Sequence, residues 1–210
     1  MRRAGAELDW PALVALQPAA GLIPERLRKH TRRIDAHPGE TLFRIGDPVR
    51  CVYLVIAGEA RLIRRDRKGG EVILQRSRGG FIAEASLDVR AYHCDGIAAE
   101  QSMLLLFPAG EFHRALDEEP SFRKAWHAHL ASEVRTLRAQ CERLCLHGAA
   151  ERIAHYIEAE GTDGVVTLTQ SRKSWAAELG LTHEALYRAL RRMQDAQTLV
   201  VDGNRLASRR

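Results

Sequence analysis

Between residues 34 and 107 the chain alternates short apolar runs, at 40–45, 51–56, 60–64, 71–75 and 97–107, with glycine-bearing breaks. Runs of that length, rich in Val, Ile, Leu and Phe, read as strands. Gly39, Gly46 with Asp47, Gly58, Gly69 with Gly70, and Gly79 with Gly80 stand where the turns fall. Several short strands at nearly regular spacing predict a roll or barrel.

After Pro108 the pattern turns helical. Residues 121–146 hold no Gly or Pro and predict one long helix. On it Leu130, Val134, Leu137, Cys141 and Leu144 are spaced 4, 3, 4 and 3. That is the apolar seam of a left-handed coiled coil, with Arg135, Arg138, Glu142 and Arg143 off the seam. Such a stripe either lies on the chain's own roll or pairs with a second copy. A helix of about 26 residues runs ~39 Å, more than a small roll covers, which favours the dimer seam. His147 and Gly148 end it.

Beyond it, a helix over 149–160, a turn at 161–164 and a short strand over 165–168 are expected. Ser171 is placed to cap a helix running to Leu179, with Gly180 closing it. Thr182 then caps a second helix to about residue 194, and two helices joined so closely make a helix-turn-helix. In the second, Leu186, Ala189, Leu190 and Met193 form one apolar stripe. His183, Glu184, Tyr187, Arg188 and Arg191 lie on the other face, free to read a partner. Residues 198–201, a turn at Asp202, Gly203 and Asn204, and residues 205–206 predict a hairpin, a wing beside the helices.

Composition narrows the classes without deciding among them. The 210 residues are 45% hydrophobic and 28% charged, with 16 Gly and 7 Pro, which describes a globular protein of one large or two small domains. No apolar run approaches the ~20 residues of a membrane span, and no signal-peptide pattern stands at the start, so no membrane partner and a cytoplasmic location are expected. Cys51, Cys94, Cys141 and Cys145 contain no CxxC pair and read as free thiols. With 32 Lys and Arg against 27 Asp and Glu, the net charge of +5 is compatible with a polyanionic partner. On a helix His127 and His129 point about 200° apart and share no metal. The roll strands hold no histidine pair of the kind a cupin enzyme needs, so no enzyme is expected. A ligand-binding module without DNA function leaves the helix-turn-helix unexplained.

His37, Pro38, Gly39, Glu40, Leu42, Phe43, Gly46, Asp47, Tyr53, Leu54, Val55 and Gly58 resemble the β-roll signature of cyclic-nucleotide-binding domains. With the roll, the long helix and a helix-turn-helix bearing Leu179, Gly180, Leu181, Thr182, His183, Glu184 and Arg188, the chain resembles the Crp/Fnr family of bacterial transcription regulators from about residue 20 onward. The resemblance implies an α+β fold. Its parts are an N-terminal jelly-roll-like β-roll sensor domain over 1–110, a long dimerisation helix over 111–147, and a C-terminal winged helix-turn-helix over 148–210. It also implies a homodimer, a small-molecule or redox signal, and double-stranded DNA and RNA polymerase as partners.

The chemistry of the second helix suits DNA. A carboxylate at Glu184 can accept from cytosine N4, and Arg188 one turn on can fork onto guanine O6 and N7. The same spacing also suits a plain surface ion pair. By resemblance these positions read a TGA-like core in each half of a palindrome. His183 stands where some members carry Arg, and Tyr187 where others carry Ser or Gly. Tyr187 meets a thymine methyl, meets a phosphate, or packs. Arg172 and Lys173, just behind Ser171, look like phosphate contacts or solvated charges. Ser171, Thr182 and Arg191 complete the DNA-facing set.

The signal is less legible. The family's cyclic AMP pocket uses a Gly-Glu pair and an Arg-Ser pair, and the matching residues here include Ala83, Glu84, Ser86, His93 and Cys94. Glu84 is retained, but His93 and Cys94 replace the Arg-Ser pair, which takes the bidentate partner from a phosphate unless the register slips by a few residues and brings in Arg90. Leu137 and Arg138 stand where a hydroxyl pair would face adenine. Cyclic AMP is therefore not expected. No cysteine precedes position 51, which excludes the N-terminal iron–sulfur cluster of other members. The effector pocket is assigned to Glu84, Ser86, His93, Cys94, Leu137 and Arg138 with no cofactor fixed. Haem, for which His and Cys are common ligands, a cyclic nucleotide as the alternative reading, another small molecule, and no effector all stay open. Cys141 would face its symmetry mate, with Cys145 one turn on, as a small hydrophobe of the seam or as a redox-active thiol.

Overall fold

A computed structural model describes residues 2–4, 8–65 and 71–209, with only the backbone of 2–4 and 71. The turn expected at Gly69 and Gly70 lies outside the described residues. The chain divides into two compact units, 1–128 and 129–210.

The first unit runs β1 (Arg2–Ala4), α1 (Trp10–Leu16), a 3-10 turn (Pro18–Leu22), α2 (Glu25–Arg28), β2 (Arg32–Ala36) and β3 (Thr41–Phe43). There follow β4 (Cys51–Ala57), β5 (Ala60–Arg65), β6 (Glu71–Ser77), β7 (Gly80–Ile82), a 3-10 turn (Glu84–Ser86), β8 (Asp95–Ala98), β9 (Ser102–Pro108), α3 (Ala109–Glu118) and the start of α4 (Pro120–Cys145). The strands form two antiparallel sheets, β1-β2-β9-β4-β7 and β3-β8-β5-β6. Between them lies one core, with Ile34, Tyr53, Val55 and Leu104 from the first sheet and Phe43, Leu62 and Ala98 from the second.

β4 is buried on both faces, which is why it reads as a continuous apolar run and not as an alternation. Val52 and Leu54 point away from the core between the sheets. On that side an aromatic cluster links the sheet to α3 and α4, with the Phe81 and Trp126 rings 4.9 Å apart and those of Phe112 and Trp126 4.8 Å apart.

Three details differ from the sequence pattern. The apolar run 97–107 is two strands, β8 and β9, that belong to different sheets. Residues 111–147 hold two helices, because Glu119 is extended ahead of Pro120, and a residue before proline is pushed out of the helical region. The short α1 and α2, of 7 and 4 residues, fall below what periodicity can identify.

A buried carboxylate joins the β4–β5 turn to the four-stranded sheet. Glu59 is 1% exposed and pairs with Arg61 of β5, Arg76 of β6 and Arg78 beyond it.

The second unit holds the rest of α4, then α5 (Ala149–Glu160), β10 (Val165–Thr167), α6 (Arg172–Glu178), α7 (His183–Asp195), β11 (Leu199–Asp202) and β12 (Arg205–Ser208). The strands form a small antiparallel sheet, β10-β12-β11. Trp175, Ile153, Leu186 and Leu206, none more than 1% exposed, centre its core. Every element expected from residue 149 onward is present.

Candidate nucleic-acid interface

Two side-chain caps and one glycine build the helix-turn-helix. Ser171 Oγ accepts from the Ser174 amide at 3.1 Å, and Thr182 Oγ1 accepts from the Ala185 amide at 3.1 Å. Each supplies a partner to an otherwise orphaned first-turn N–H. Between the helices Gly180 has φ +64. The amide of Leu181 donates to Ala176 O at 2.8 Å, and that of Gly180 to Ala177 O at 3.1 Å, the paired bonds of a Schellman ending. The chain therefore leaves α6 and enters α7 within four residues, and the direction of α7 relative to α6 is set locally.

α7 is sharply two-faced. Leu186, Ala189 and Leu190 are buried in the core of the unit, and Met193 is half-buried against it. His183, Glu184, Tyr187, Arg188 and Arg191 are all exposed. The rings of His183 and Tyr187 meet edge to face, with centroids 4.7 Å apart, and Tyr187 stays 50% exposed. Among the described residues no ion pair joins Glu184 to Arg188, so both ends remain available to a partner.

At the start of α6, Lys173 is exposed. Arg172 is occupied otherwise: its Nη2 donates to Gly203 O at 2.6 Å and its guanidinium lies 5.4 Å from the Trp175 ring centre. It ties the wing turn to α6, and its Nη1 is buried without a hydrogen-bond partner. The wing itself is the β11–β12 hairpin.

Of the residues expected to form an effector pocket, Glu84, Ser86, His93 and Cys94 interact in pairs on the roll, Ser86 with His93 and Glu84 with Cys94. Glu84, half-buried, opens the 3-10 turn after Ala83, which has φ +67. A non-glycine residue there carries roughly 1–2 kcal/mol of backbone strain. Ser86 is buried, and its Oγ lies 3.0 Å from Nδ1 of the exposed His93. Cys94 is buried in the core between the sheets, and burial pushes its thiol up. Tyr92 stacks on Phe43 at 4.2 Å, and Phe43 on Tyr53 at 5.6 Å, so aromatic rings fill the middle of the roll. Neither of two clefts on the roll is lined by Glu84, Ser86, His93 or Cys94. Leu137 and Arg138 are exposed on the part of α4 that belongs to the second unit. Among the described residues no group of three or more His, Cys, Asp or Glu could hold a metal, and no helix is long and apolar enough to cross a membrane.

On the seam of α4, Leu130 is half-buried, while Val134, Leu137 and Leu144 are 44%, 51% and 45% exposed and Cys141 is exposed with a free thiol. Two residues outside the expected site do structural work close by. Arg152 of α5 bonds only to main-chain carbonyls, and Arg143 of α4 is 1% exposed. No periodicity marks what they hold, because the partners of Arg152 are main-chain carbonyls and those of Arg143 lie on α5.

Residues 33–119 match the model of the cyclic nucleotide-binding domain. The molecule is thus a cyclic-nucleotide-binding-type β-roll joined by a long helix to a winged helix-turn-helix. That architecture is the fold of the Crp/Fnr transcription regulators, as the motifs led one to expect. The chain is similar to FixK2 from Bradyrhizobium japonicum, at 20% identity and a TM-score of 0.62, over 86% of this chain and 93% of that one. It is similar to the c-di-GMP responsive global regulator CLP of Xanthomonas campestris, at 22% identity and a TM-score of 0.58, over 90% and 98%. A transcriptional regulator of the CRP family from Thermus thermophilus shares 21% identity and a TM-score of 0.52, over 83% and 91%. No curated protein sequence matches the chain.

Proposed function

We propose that the chain is a homodimeric, sequence-specific DNA-binding transcription regulator that lays α7 in the major groove and reads a palindrome of TGA-like half-sites. The observation that carries this reading is the two-faced α7. Its apolar stripe is consumed by the core, and a polar face of five exposed residues is left, with no ion pair between Glu184 and Arg188 among the described residues. Glu184 and Arg188 are the base-reading pair in this reading, Glu184 for a cytosine amine and Arg188 for a guanine. His183, Tyr187 and Arg191 flank them, and Ser171, Lys173 and Thr182 hold the start of each helix against phosphates. Arg172 acts one step back, by fixing the wing turn. The exposed leucines of the α4 seam support a second copy as the first protein partner. RNA polymerase is the second, and the cytoplasm is the place of action. The chain performs no catalysis in this account.

The roll serves as a sensor that does not take cyclic AMP. That reading is supported by the aromatic stack in the middle of the roll, by His93 and Cys94 in place of an Arg-Ser pair, and by the bond of His93 to Ser86.

The pair Arg188→Ala and Lys173→Ala tests the reading by fluorescence anisotropy on a set of duplexes. Arg188→Ala is expected to lose about 1–3 kcal/mol of preference for the half-site guanine. Lys173→Ala is expected to weaken all sequences alike and to lower the salt slope by about 1. Unchanged discrimination in Arg188→Ala would overturn the assignment.

A further inference from the structure

One guanidinium holds the end of α4 and the helix-turn-helix together. Arg152, on the first turn of α5, donates from Nε to Leu146 O at 2.8 Å and from Nη2 to Leu144 O at 3.4 Å. Its Nη1 donates to Leu179 O at 3.0 Å and to Gly180 O at 3.2 Å. The first two carbonyls stand at the end of α4. The other two end α6, at the turn in front of α7. Helix C-termini present unpaired carbonyls and partial negative charge, and the arginine fork has enough N–H groups to serve two of them at once. The approach depends on Gly180: a Cβ there would lie 2.9 Å from Arg152 Nη1 and 2.9 Å from Leu144 Cδ2.

Two further side chains close the same joint. The buried Arg143 guanidinium lies 4.7 Å from the Tyr156 ring centre, and its Nη2 donates to Glu160 Oε1 at 3.2 Å. His155 Nε2 is 3.3 Å from Glu142 Oε2. Only residues 146–148 link α4 to α5, and their backbone dihedrals alone would leave α5 free to swing. Arg143, by holding to α5, removes part of that freedom. Arg152 goes further, because its fork bonds both to the end of α4 and to the turn that aims α7.

We infer that Arg152 is a positioning residue for DNA reading, one that fixes the direction of α7 relative to the end of α4. The inference rests on the homodimer reading proposed above. In a dimer built on the α4 seam, that direction sets the separation and helical phase of the two reading helices. Arg152 therefore governs which half-site spacing the dimer accepts, and leaves untouched which bases each half reads.

The test uses the full chain and palindromic duplexes in which the selected half-site is kept and the spacer is varied by single base pairs. Two base pairs turn one half-site about 70° around the duplex from the other. Wild type is expected to lose about tenfold or more in affinity at that step, because both helices can no longer engage together. Arg152→Gln is expected to flatten the profile, with spacers on either side of the optimum bound within about threefold, while preference within the half-site stays at the wild-type level. Retained spacing selectivity in the folded variant would overturn the inference. So would an equal loss of half-site preference at every spacing, which would mean that Arg152 only holds the motif folded. Should circular dichroism show that Arg152→Gln does not fold, Arg152→Lys is read in the same way, since a lysine ammonium keeps the charge but serves one helix end at a time. A wild-type chain with no spacing preference at all would overturn the dimer reading and take the inference with it.

Discussion

Replacing Glu59 by glutamine is expected to destabilise the first unit by about 3 kcal/mol, and the structure supplies the working. The side chain is 2% exposed, with Oε1 accepting from Arg61 Nε at 2.5 Å and Arg76 Nη1 at 3.1 Å, and Oε2 from Arg78 Nε at 2.8 Å. Glutamine keeps the shape and one acceptor. Its amide, however, sets a donor against a donor, and the charge on which all three arginines depend is gone. A bond to a charged group is worth about 1.5–3 kcal/mol. The arginine side chains are 33%, 31% and 43% exposed, so water recovers part of each loss and about 1 kcal/mol per arginine remains. For a unit of this size that is a fall of roughly 10 °C in melting temperature.

The pH dependence has a definite sign. Burial pushes the Glu59 carboxyl up, but the hydrogen bonds and charges of Arg61 and Arg78 outweigh it and hold the group below the ordinary carboxylate range. The folded state thus binds this proton less tightly than the unfolded state. The stabilisation is complete above the ordinary carboxylate range and is lost as pH falls through the lowered value. Thermal unfolding followed by circular dichroism, from about pH 7 to about pH 3, should show the gap between wild type and Glu59→Gln closing at the acid end. A gap of the same size throughout, or no gap at neutral pH, would refute the reasoning.

Two other substitutions probe the fold and the seam. Gly58 has φ +85, and a Cβ there would lie 2.6 Å from Ser102 Cα and closer still to Gln101 O, backbone atoms that cannot retreat. Gly58→Ala is therefore expected to cost at least ~3 kcal/mol in denaturant melts, of which left-handed backbone strain supplies about 1–2; a loss below ~1 kcal/mol would contradict the close approach. Leu137 is already 51% exposed in the single chain, so Leu137→Asp is expected to leave a monomer's stability within about 0.5 kcal/mol while abolishing the dimer in light scattering. An intact dimer would show that the seam lies elsewhere.

What the sequence discloses depends on how local the cause is. The caps at Ser171 and Thr182, the stripe of Leu186, Ala189 and Leu190, and the glycine-marked turns are set by neighbours within a few residues, and each is readable from spacing. The division of 97–107 into β8 and β9 is not, because both strands are apolar and which sheet each joins is decided by partners far along the chain. The same holds for Glu59, whose arginines stand 2, 17 and 19 residues away. Arg152 is hidden more thoroughly: its partners are backbone carbonyls, which leave no trace in side-chain identity. The pocket residues show a third case. Glu84, Ser86, His93 and Cys94 stand out through a match to a motif, and the fold bonds His93 to Ser86 and places Cys94 in the core.

The central claim is that α7 reads a specific palindrome as part of a dimer. The most direct test is a selection from randomised duplexes with the purified, reduced protein, at near-physiological salt and without added effector, followed by sequencing of the bound fraction. The account predicts enrichment of an inverted repeat with TGA-like halves, bound by two chains per duplex. A bound pool with no common sequence, from a protein that light scattering shows to be dimeric and that stays unselective when cyclic nucleotides or haem are supplied, would contradict it.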